Sequence, residues 1–187
     1  MICKMSCFKN EQPPLNKGAT MNTSYISLGS NIEDRKLNIS KALEEIKKLN
    51  DIDISDTSFT YETDPLPTTS GQSKFLNCMI KINTTLDAHD LMRKLQKIET
   101  DLGRPEDHDK WSSRTIDLDI IFYNNDIIDD PDLKIPHPEA SKRVFVLKPL
   151  CDIASDMVHP VDNKTVRELL EDVLMNKKNL NITRKDD

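Results

Sequence analysis

Asp117 and Asp119 stand one residue apart in the stretch Arg114–Thr115–Ile116–Asp117–Leu118–Asp119–Ile120–Ile121, RTIDLDII. Successive residues of a strand point to opposite faces. The two carboxylates therefore share one face, and Ile116, Leu118 and Ile120 share the other. At strand rise their Cα atoms lie about 6–7 Å apart, close enough for like charges to repel unless a cation sits between them. Hard oxygen ligands on a rigid strand suit Mg2+, which takes one or two carboxylates together with substrate phosphates. Two such ions about 3.5–4 Å apart clamp a phosphoryl transfer. The plain alternative is a solvated strand face in an acidic protein. Arg114 has the wrong parity for the aspartate face, so a bend must swing it inward. There it either grips phosphate oxygens in a bidentate way or serves as the ion-pair partner of Asp117.

Phosphates need further donors. The chain has only four glycines, Gly18, Gly29, Gly71 and Gly103, and neither GxxxxGK[ST] nor GxGxxG occurs. A backbone cradle of the P-loop kind is thereby excluded. A nucleotide site must rely on metal and cationic side chains, and Asp117, Asp119, Arg114, Arg104, Lys110, His137 and Arg143 are the available set. A net charge of −6, from 26 basic and 32 acidic residues, argues against sequence-independent nucleic-acid binding. Cys3, Cys7, Cys78 and Cys151 form no CxxC pair and read as reduced thiols of a cytoplasmic protein. No apolar run approaches the ~18 residues of a membrane span, and the N-terminus lacks the apolar stretch of a signal peptide.

The positioning elements follow from periodicity. Tyr25–Gly29 reads as a strand. Ile39, Ala42, Leu43, Ile46 and Leu49 have helical spacing within 34–50. Ile52 and Ile54, with Phe59 and Tyr61, read as one second strand, followed by a turn-rich loop over 63–71. Leu76, Cys78, Ile80 and Ile82 alternate as a third strand. Asp87 caps a helix bearing Leu91, Leu95, Ile98 and Leu102, closed by Gly103. RTIDLDII is the fourth strand. The order strand, helix, strand, strand, helix, strand is the ferredoxin-like βαββαβ pattern of an α+β protein, with an antiparallel sheet and helices on one face. A C-terminal α/β extension adds Pro136–His137–Pro138, a short apolar stretch Val144–Leu150 and a last helix opened by a Thr165–Glu168 capping box. A single domain is expected over 21–176, with a disordered polar tail over 1–20 and a frayed polar tail over 177–187.

On these residues the chain resembles the 6-hydroxymethyl-7,8-dihydropterin pyrophosphokinases of folate biosynthesis. The resemblance rests on W-S-S-R-T-I-D-L-D-I-I at 111–121, Y-I-S-L-G-S-N at 25–31, Y-E-T-D-P-L at 61–66 and F-L-N at 75–77. Q-K-I-E at 96–99, G-R at 103–104, I-P-H-P at 135–138 and R-V-F-V-L at 143–147 extend it. It implies transfer of pyrophosphate from ATP to the hydroxymethyl group of the dihydropterin, with release of AMP. It implies Asp117 and Asp119 as ligands of two Mg2+ ions, and Arg114 and Arg104 as further catalytic residues. It assigns ATP to Gln96, Glu99, Trp111, Arg114, Ile120, Lys134, His137 and Arg143. It assigns the pterin to Gly29, Thr63, Pro65, Leu66, Phe75, Asn77 and Phe145, the two phenylalanine rings stacking on its faces. Residues 104–113 would form a lid over ATP in which Glu106 and Asp107, like Asp132, are acidic where some members are basic. Lys110 and His108 are expected to take over part of the lid's charge role. The implied partners are small molecules, with no nucleic acid, membrane or obligate protein partner. The chain is too short to carry a dihydropteroate synthase barrel as well.

Two other readings compete. A different two-metal enzyme, such as a nucleotidyl transferase, can use paired aspartates on the same fold. A non-catalytic module that senses ATP or metal would fit the acidic lid. The F-L-N segment with Thr63–Leu66 favours a pterin slot over the first, and the full set Asp117, Asp119, Arg114, His137 and Arg143 exceeds what the second needs.

Overall fold

The alternating run Phe75–Thr84 forms the central strand of the sheet, β4, buried on both faces along most of its length. The computed structural model describes residues 20–65, 71–104, 114–176 and 181–185. Before β4 come β1 (Asn22–Ser30), α1 (Arg35–Lys47), β2 (Ile52–Thr57) and β3 (Thr60–Thr63). After it come α2 (Ala88–Asp101), β5 (Asp117–Tyr123), β6 (Ile128–Asp129), β7 (Lys134–Ile135), α3 (Val144–Ala154), α4 (Val166–Asn176) and β8 (Ile182–Lys185). The main sheet runs β5-β1-β4-β3-β8, with β2 also on β4, and every pairing is antiparallel. This is the expected ferredoxin-like arrangement, with the first and third core strands central.

Local chemistry explains the helices. Asp34 accepts from Leu37 N at 3.1 Å and opens α1, and Asp87 accepts from Asp90 N at 2.8 Å and opens α2. Thr165 and Glu168 exchange backbone bonds reciprocally at α4, as a capping box does. Helices α1 and α2 press Ile39, Ala42, Leu43, Ile46, Leu91, Leu95 and Ile98 onto Ile26, Leu28, Ile80, Ile82, Leu118 and Ile120. Full burial of one such side chain stabilises the fold by about 1.5–3 kcal/mol relative to exposure.

The other face carries a second core. Tyr25, Met79, Ile121 and Phe122 meet Val144, Val146, Leu147 and Leu150 of α3, and Val166, Leu169, Leu170 and Val173 of α4. The C-terminal helices therefore roof part of the aspartate face. The short apolar stretch 144–150 is the body of α3. Its identity as a helix depends on this packing, since it contains Pro149.

Two expectations are corrected. The second strand is two strands, because Ser58 interrupts the ladder. Its N–H donates to Met79 O at 2.9 Å and its hydroxyl accepts from Met79 N at 2.8 Å, so the break is held in register. Residues 177–187 are not wholly a frayed tail, since 182–185 pair with β3 in the register Thr63↔Ile182 to Thr60↔Lys185. The small β6–β7 hairpin had no reading in the sequence, its strands being two residues each. Among the described residues, no helix is long and apolar enough to cross a membrane.

Between α3 and α4, His159 is buried and edge-on to Phe122, with ring centroids 5.2 Å apart. Its Nδ1 accepts from Val161 N and Asp162 N at 3.3 and 3.1 Å. Burial holds its pKa below the ordinary 6.5, against the opposing charge of Asp162. The unfolded chain then binds the proton more readily, so this contribution is complete above about pH 6.5 and fades as pH falls through the depressed folded value. Asn at this position keeps an acceptor but does not titrate. We expect His159→Asn to lose less stability than the parent between about pH 7.5 and about pH 5.5, measured by urea unfolding. An identical pH slope in parent and variant would refute the assignment.

Candidate active site

The end of α2 delivers the first cation. Gly103 takes φ +95°, a left-handed conformation that favours glycine, and Arg104 N donates back to Glu99 O at 2.9 Å. This six-to-one closure is a Schellman motif. It turns Arg104 over the end of its own helix, where Nη1 meets Glu99 Oε1 at 2.5 Å and Asp117 Oδ1 at 2.8 Å. Glu99 is 6% exposed and also accepts from Leu118 N at 2.6 Å. Burial pushes its carboxyl up to about 7, opposed mainly by Arg104. Glu99 is thus not a solvated helix position. Its carboxylate ties α2 to the outer edge of β5.

The second cation arrives through a bend. Arg114 precedes β5, so strand parity does not govern it, and its Nη1 reaches Asp117 Oδ2 at 2.9 Å. Asn31, 0% exposed, fixes its backbone: Arg114 N donates to Asn31 Oδ1 at 2.8 Å, and Asn31 N donates to Arg114 O at 3.3 Å. Asn31 closes the Y-I-S-L-G-S-N segment, and its role as the clasp on Arg114 was not read from it. A polar amide at the end of an apolar strand was the available signal.

Asp117 is therefore held by two guanidinium groups, whereas the Asp119 carboxylate makes no hydrogen bond or ion pair among the described residues. Burial raises the Asp119 pKa above the usual carboxylate range, and the Asp117 charge adds to that. The charges of Arg114, Arg104 and Arg143 pull it down. A carboxylate that is desolvated, repelled by its neighbour and short of donors is a fitting ligand for a hard cation. The donor set of Asp117 and Asp119 thus fits Mg2+, with the remaining positions left to substrate oxygens.

Asp119 also lines a cleft of about 850 Å3 between α2, β5 and the 132–138 segment. Gln96, Glu99, Arg104, Ile120, Lys134 and His137 line the same cleft, which brings together most of the expected ATP set. Met92 and Thr100 join it as the i−4 and i+4 neighbours of Gln96, a stripe that helical spacing could have supplied. Asp132 lines it too, so one of the acidic departures noted in the sequence does face this space. Lys134 is paired with Asp129 across the β6–β7 hairpin. His137 Nδ1 accepts from Glu139 N at 3.2 Å, which leaves the ring proton on Nε2 as a donor. Burial and the Arg143 charge lower its pKa.

The expected pterin residues lie beside the cleft, on the aspartate face. Register aligns Asp117, Gly29, Asn77 and Tyr61 in one row across β5, β1, β4 and β3. Asn77 is 3% exposed and donates from Nδ2 to Thr63 Oγ1 at 2.9 Å. At Gly29 a Cβ would come within 3.2 Å of Asn77 Oδ1 and 4.0 Å of Asp117 Cβ. The missing side chain leaves room beside the Asn77 amide oxygen. Phe75 and Phe145 are only half-buried, and Phe145 packs against the α3–α4 core with Arg143 5.7 Å from its ring centre. Pro65 is half-buried just beyond Asp64. Leu66 and Trp111, with Glu106, Asp107, His108 and Lys110 of the expected lid, lie outside the described residues.

With this geometry in hand, the chain is similar to known proteins along most of its length. The family model for 7,8-dihydro-6-hydroxymethylpterin-pyrophosphokinase (HPPK) matches residues 25–155. The 2-amino-4-hydroxy-6-hydroxymethyldihydropteridine pyrophosphokinase of Aquifex aeolicus is 37% identical over 148 residues, covering 79% of this chain and 90% of its own. Folic acid synthesis protein FOL1 of Dictyostelium discoideum is 39% identical over 160 residues, 86% of this chain, and this chain matches 24% of that protein's length. Among solved structures, Plasmodium falciparum HPPK-DHPS superposes with a TM-score of 0.69 at 16% identity, over 87% of this chain and 46% of that one, a likeness of fold. The chain belongs to the 7,8-dihydro-6-hydroxymethylpterin-pyrophosphokinase family.

Proposed function

We propose that this chain transfers pyrophosphate from ATP to the hydroxymethyl group of 6-hydroxymethyl-7,8-dihydropterin and releases AMP, as a cytoplasmic enzyme acting on small molecules in folate biosynthesis. The observation that carries this reading is the Asp119 carboxylate. It has no hydrogen-bond or ion-pair partner among the described residues, and it lies where the cleft meets the row Asp117–Gly29–Asn77. One substrate in the cleft and another over the row would meet at the aspartate pair.

The dihydropterin would use the amide of Asn77, which both donates and accepts, together with Thr63 and the backbone near Pro65. Phe75 and Phe145 would stack on its faces. ATP would lie in the cleft against Gln96, Ile120 and Lys134, with the phosphates toward Arg104, Arg114, His137 and Arg143. The neutral His137 offers its Nε2 proton to a phosphate oxygen without needing to ionise. In the reaction the hydroxymethyl oxygen bonds to the β-phosphorus. The bond from that phosphorus to the oxygen bridging to the α-phosphate breaks, the electron pair leaves with AMP, and the hydroxyl proton passes to solvent. Asp117 and Asp119 would hold two Mg2+ ions, which when bound neutralise phosphate charge and acidify the substrate hydroxyl. The residues themselves supply alignment and fixed positive charge, the main contributions in phosphoryl transfer.

Incubation with ATP, Mg2+ and the dihydropterin is expected to yield AMP only when the pterin is present. Asp119→Asn should reduce AMP formation by about 10²-fold or more, since the charge stabilisation at stake is several kcal/mol. ADP in place of AMP would overturn attack at the β-phosphorus, and an unchanged rate in Asp119→Asn would overturn the role of the pair.

Asn77→Ala should weaken dihydropterin binding about tenfold while ATP affinity stays within about twofold, measured by titration calorimetry. Equal losses for both ligands would remove Asn77 from the pterin set.

A further inference from the structure

The C-terminal strand β8 is not needed to complete the βαββαβ core, yet it is attached at the pterin end of the sheet. It pairs with β3 in the register Thr63↔Ile182, Glu62↔Thr183, Tyr61↔Arg184 and Thr60↔Lys185. Strand β3 carries Thr63, which holds the Asn77 amide, and leads directly into Asp64 and Pro65. Without β8, β3 would be a four-residue edge strand with one row of peptide groups unpaired.

Both faces of β8 are fastened. On the aspartate face, Ile182 packs against the α3–α4 core, and the Arg184 guanidinium sits 3.2 Å from the Phe59 ring centre. On the α1 face, Lys185 Nζ meets Glu62 Oε1 at 3.2 Å. Arg35 of α1 holds the other Glu62 oxygen at 3.0 Å and donates to Lys74 O at 2.8 Å, just before Phe75. Just ahead of β8, Asn181 Nδ2 donates to Asp64 Oδ2 at 2.7 Å, while Lys74 Nζ holds Asp64 Oδ1 at 3.0 Å. The two flanks of the 63–75 connection are thus tied to each other through Asp64 and Glu62, and residues 181–185 have a hold on both of these carboxylates.

We propose that residues 181–185 are a positioning strap for the pterin end of the site, with Asn181 as a positioning residue acting through Asp64. The strap holds Thr63 and the backbone near Pro65 in the conformation that a pterin amide edge requires. Its effect falls on the pterin and not on the ATP cleft, because its contacts reach β3, Phe59, the α3–α4 core and the flanks of the 63–75 connection. None of its residues lines the cleft. The proposal rests on the pterin assignment made above.

The test uses the full chain. Of any two consecutive strand residues, one N–H points to the neighbouring strand, so Thr183→Pro combined with Arg184→Pro removes a β3–β8 bond whichever phase holds. Asn181→Ala severs the Asp64 tether without touching the pairing, and Asn181→Gln keeps an amide donor. KM for the dihydropterin and for ATP, kcat and the unfolding midpoint are measured for each. The double proline variant is expected to raise KM for the dihydropterin by about five- to tenfold, with KM for ATP and kcat within about twofold. Asn181→Ala should show a smaller rise in the same parameter, and Asn181→Gln should restore part of it. Equal rises in both KM values, or no rise in any folded variant, would overturn the strap. If the double variant fails to fold, Asn181→Ala with an unchanged dihydropterin KM overturns it. A parent chain that binds no dihydropterin overturns this proposal together with the reading beneath it. A parent that binds it, with variants indistinguishable from it, overturns the strap alone.

Discussion

Asp117 accepts one guanidinium on each carboxylate oxygen, Arg104 on Oδ1 and Arg114 on Oδ2, and three segments distant in sequence are fixed relative to one another through it. Arg104 brings in the end of α2 and the buried Glu99, and Arg114 brings in Asn31 from the end of β1. Charges this poorly solvated are costly to bury, and the cost is offset only while every partner stays in place. Loss of one arginine would leave a carboxylate desolvated and unbalanced. The network is therefore a geometric lock on the place where the cleft meets the row of Asp117, Gly29 and Asn77.

The lock is also an electrostatic preparation. Glu99, Asp117 and Asp119 gather three carboxylates, and Arg104, Arg114 and Arg143 face them. The proposed triphosphate and its cations would bring charge of both signs and would exchange partners with these groups without a net unpaired charge in a region of low dielectric. The uneven sharing matters. Asp117 is saturated by arginine while Asp119 is not, and the two carboxylates therefore differ in readiness for a cation although they are neighbours on one strand.

The two faces of the sheet differ in character, and the cleft opens at the β5 edge where α2 meets it. The face toward α1 and α2 is apolar and fully packed, which fixes the positions of β1, β4 and β5. The opposite face is roofed by α3 and α4 over Tyr25, Met79, Ile121 and Phe122. Beyond that roof the row of Asp117, Gly29 and Asn77 keeps its polar character. Gly29 matters there because it lacks a side chain: a Cβ would press on the Asn77 amide.

Local sequence carried the alternation that puts Asp117 and Asp119 on one face, the caps at Asp87 and Thr165, and the order of core strands and helices. These depend on neighbours a few residues apart, and periodicity and local hydrogen bonding record them directly. Gln96, Ile120, Lys134 and His137 were named from short motifs, but their meeting in one cleft depends on α2 and the 132–138 segment flanking the same edge strand. Other features were decided only by tertiary structure. Glu99 has the residue type of a solvated helix position and became buried because Arg104 and Leu118 N supplied partners. Asn31 became the clasp on Arg114, Ser58 split one strand into two, and residues 182–185 became a strand because β3 offered them an open edge. Each of these rests on a partner remote in the chain. No local pattern encodes such a partner, because its energy appears only once the two segments have met.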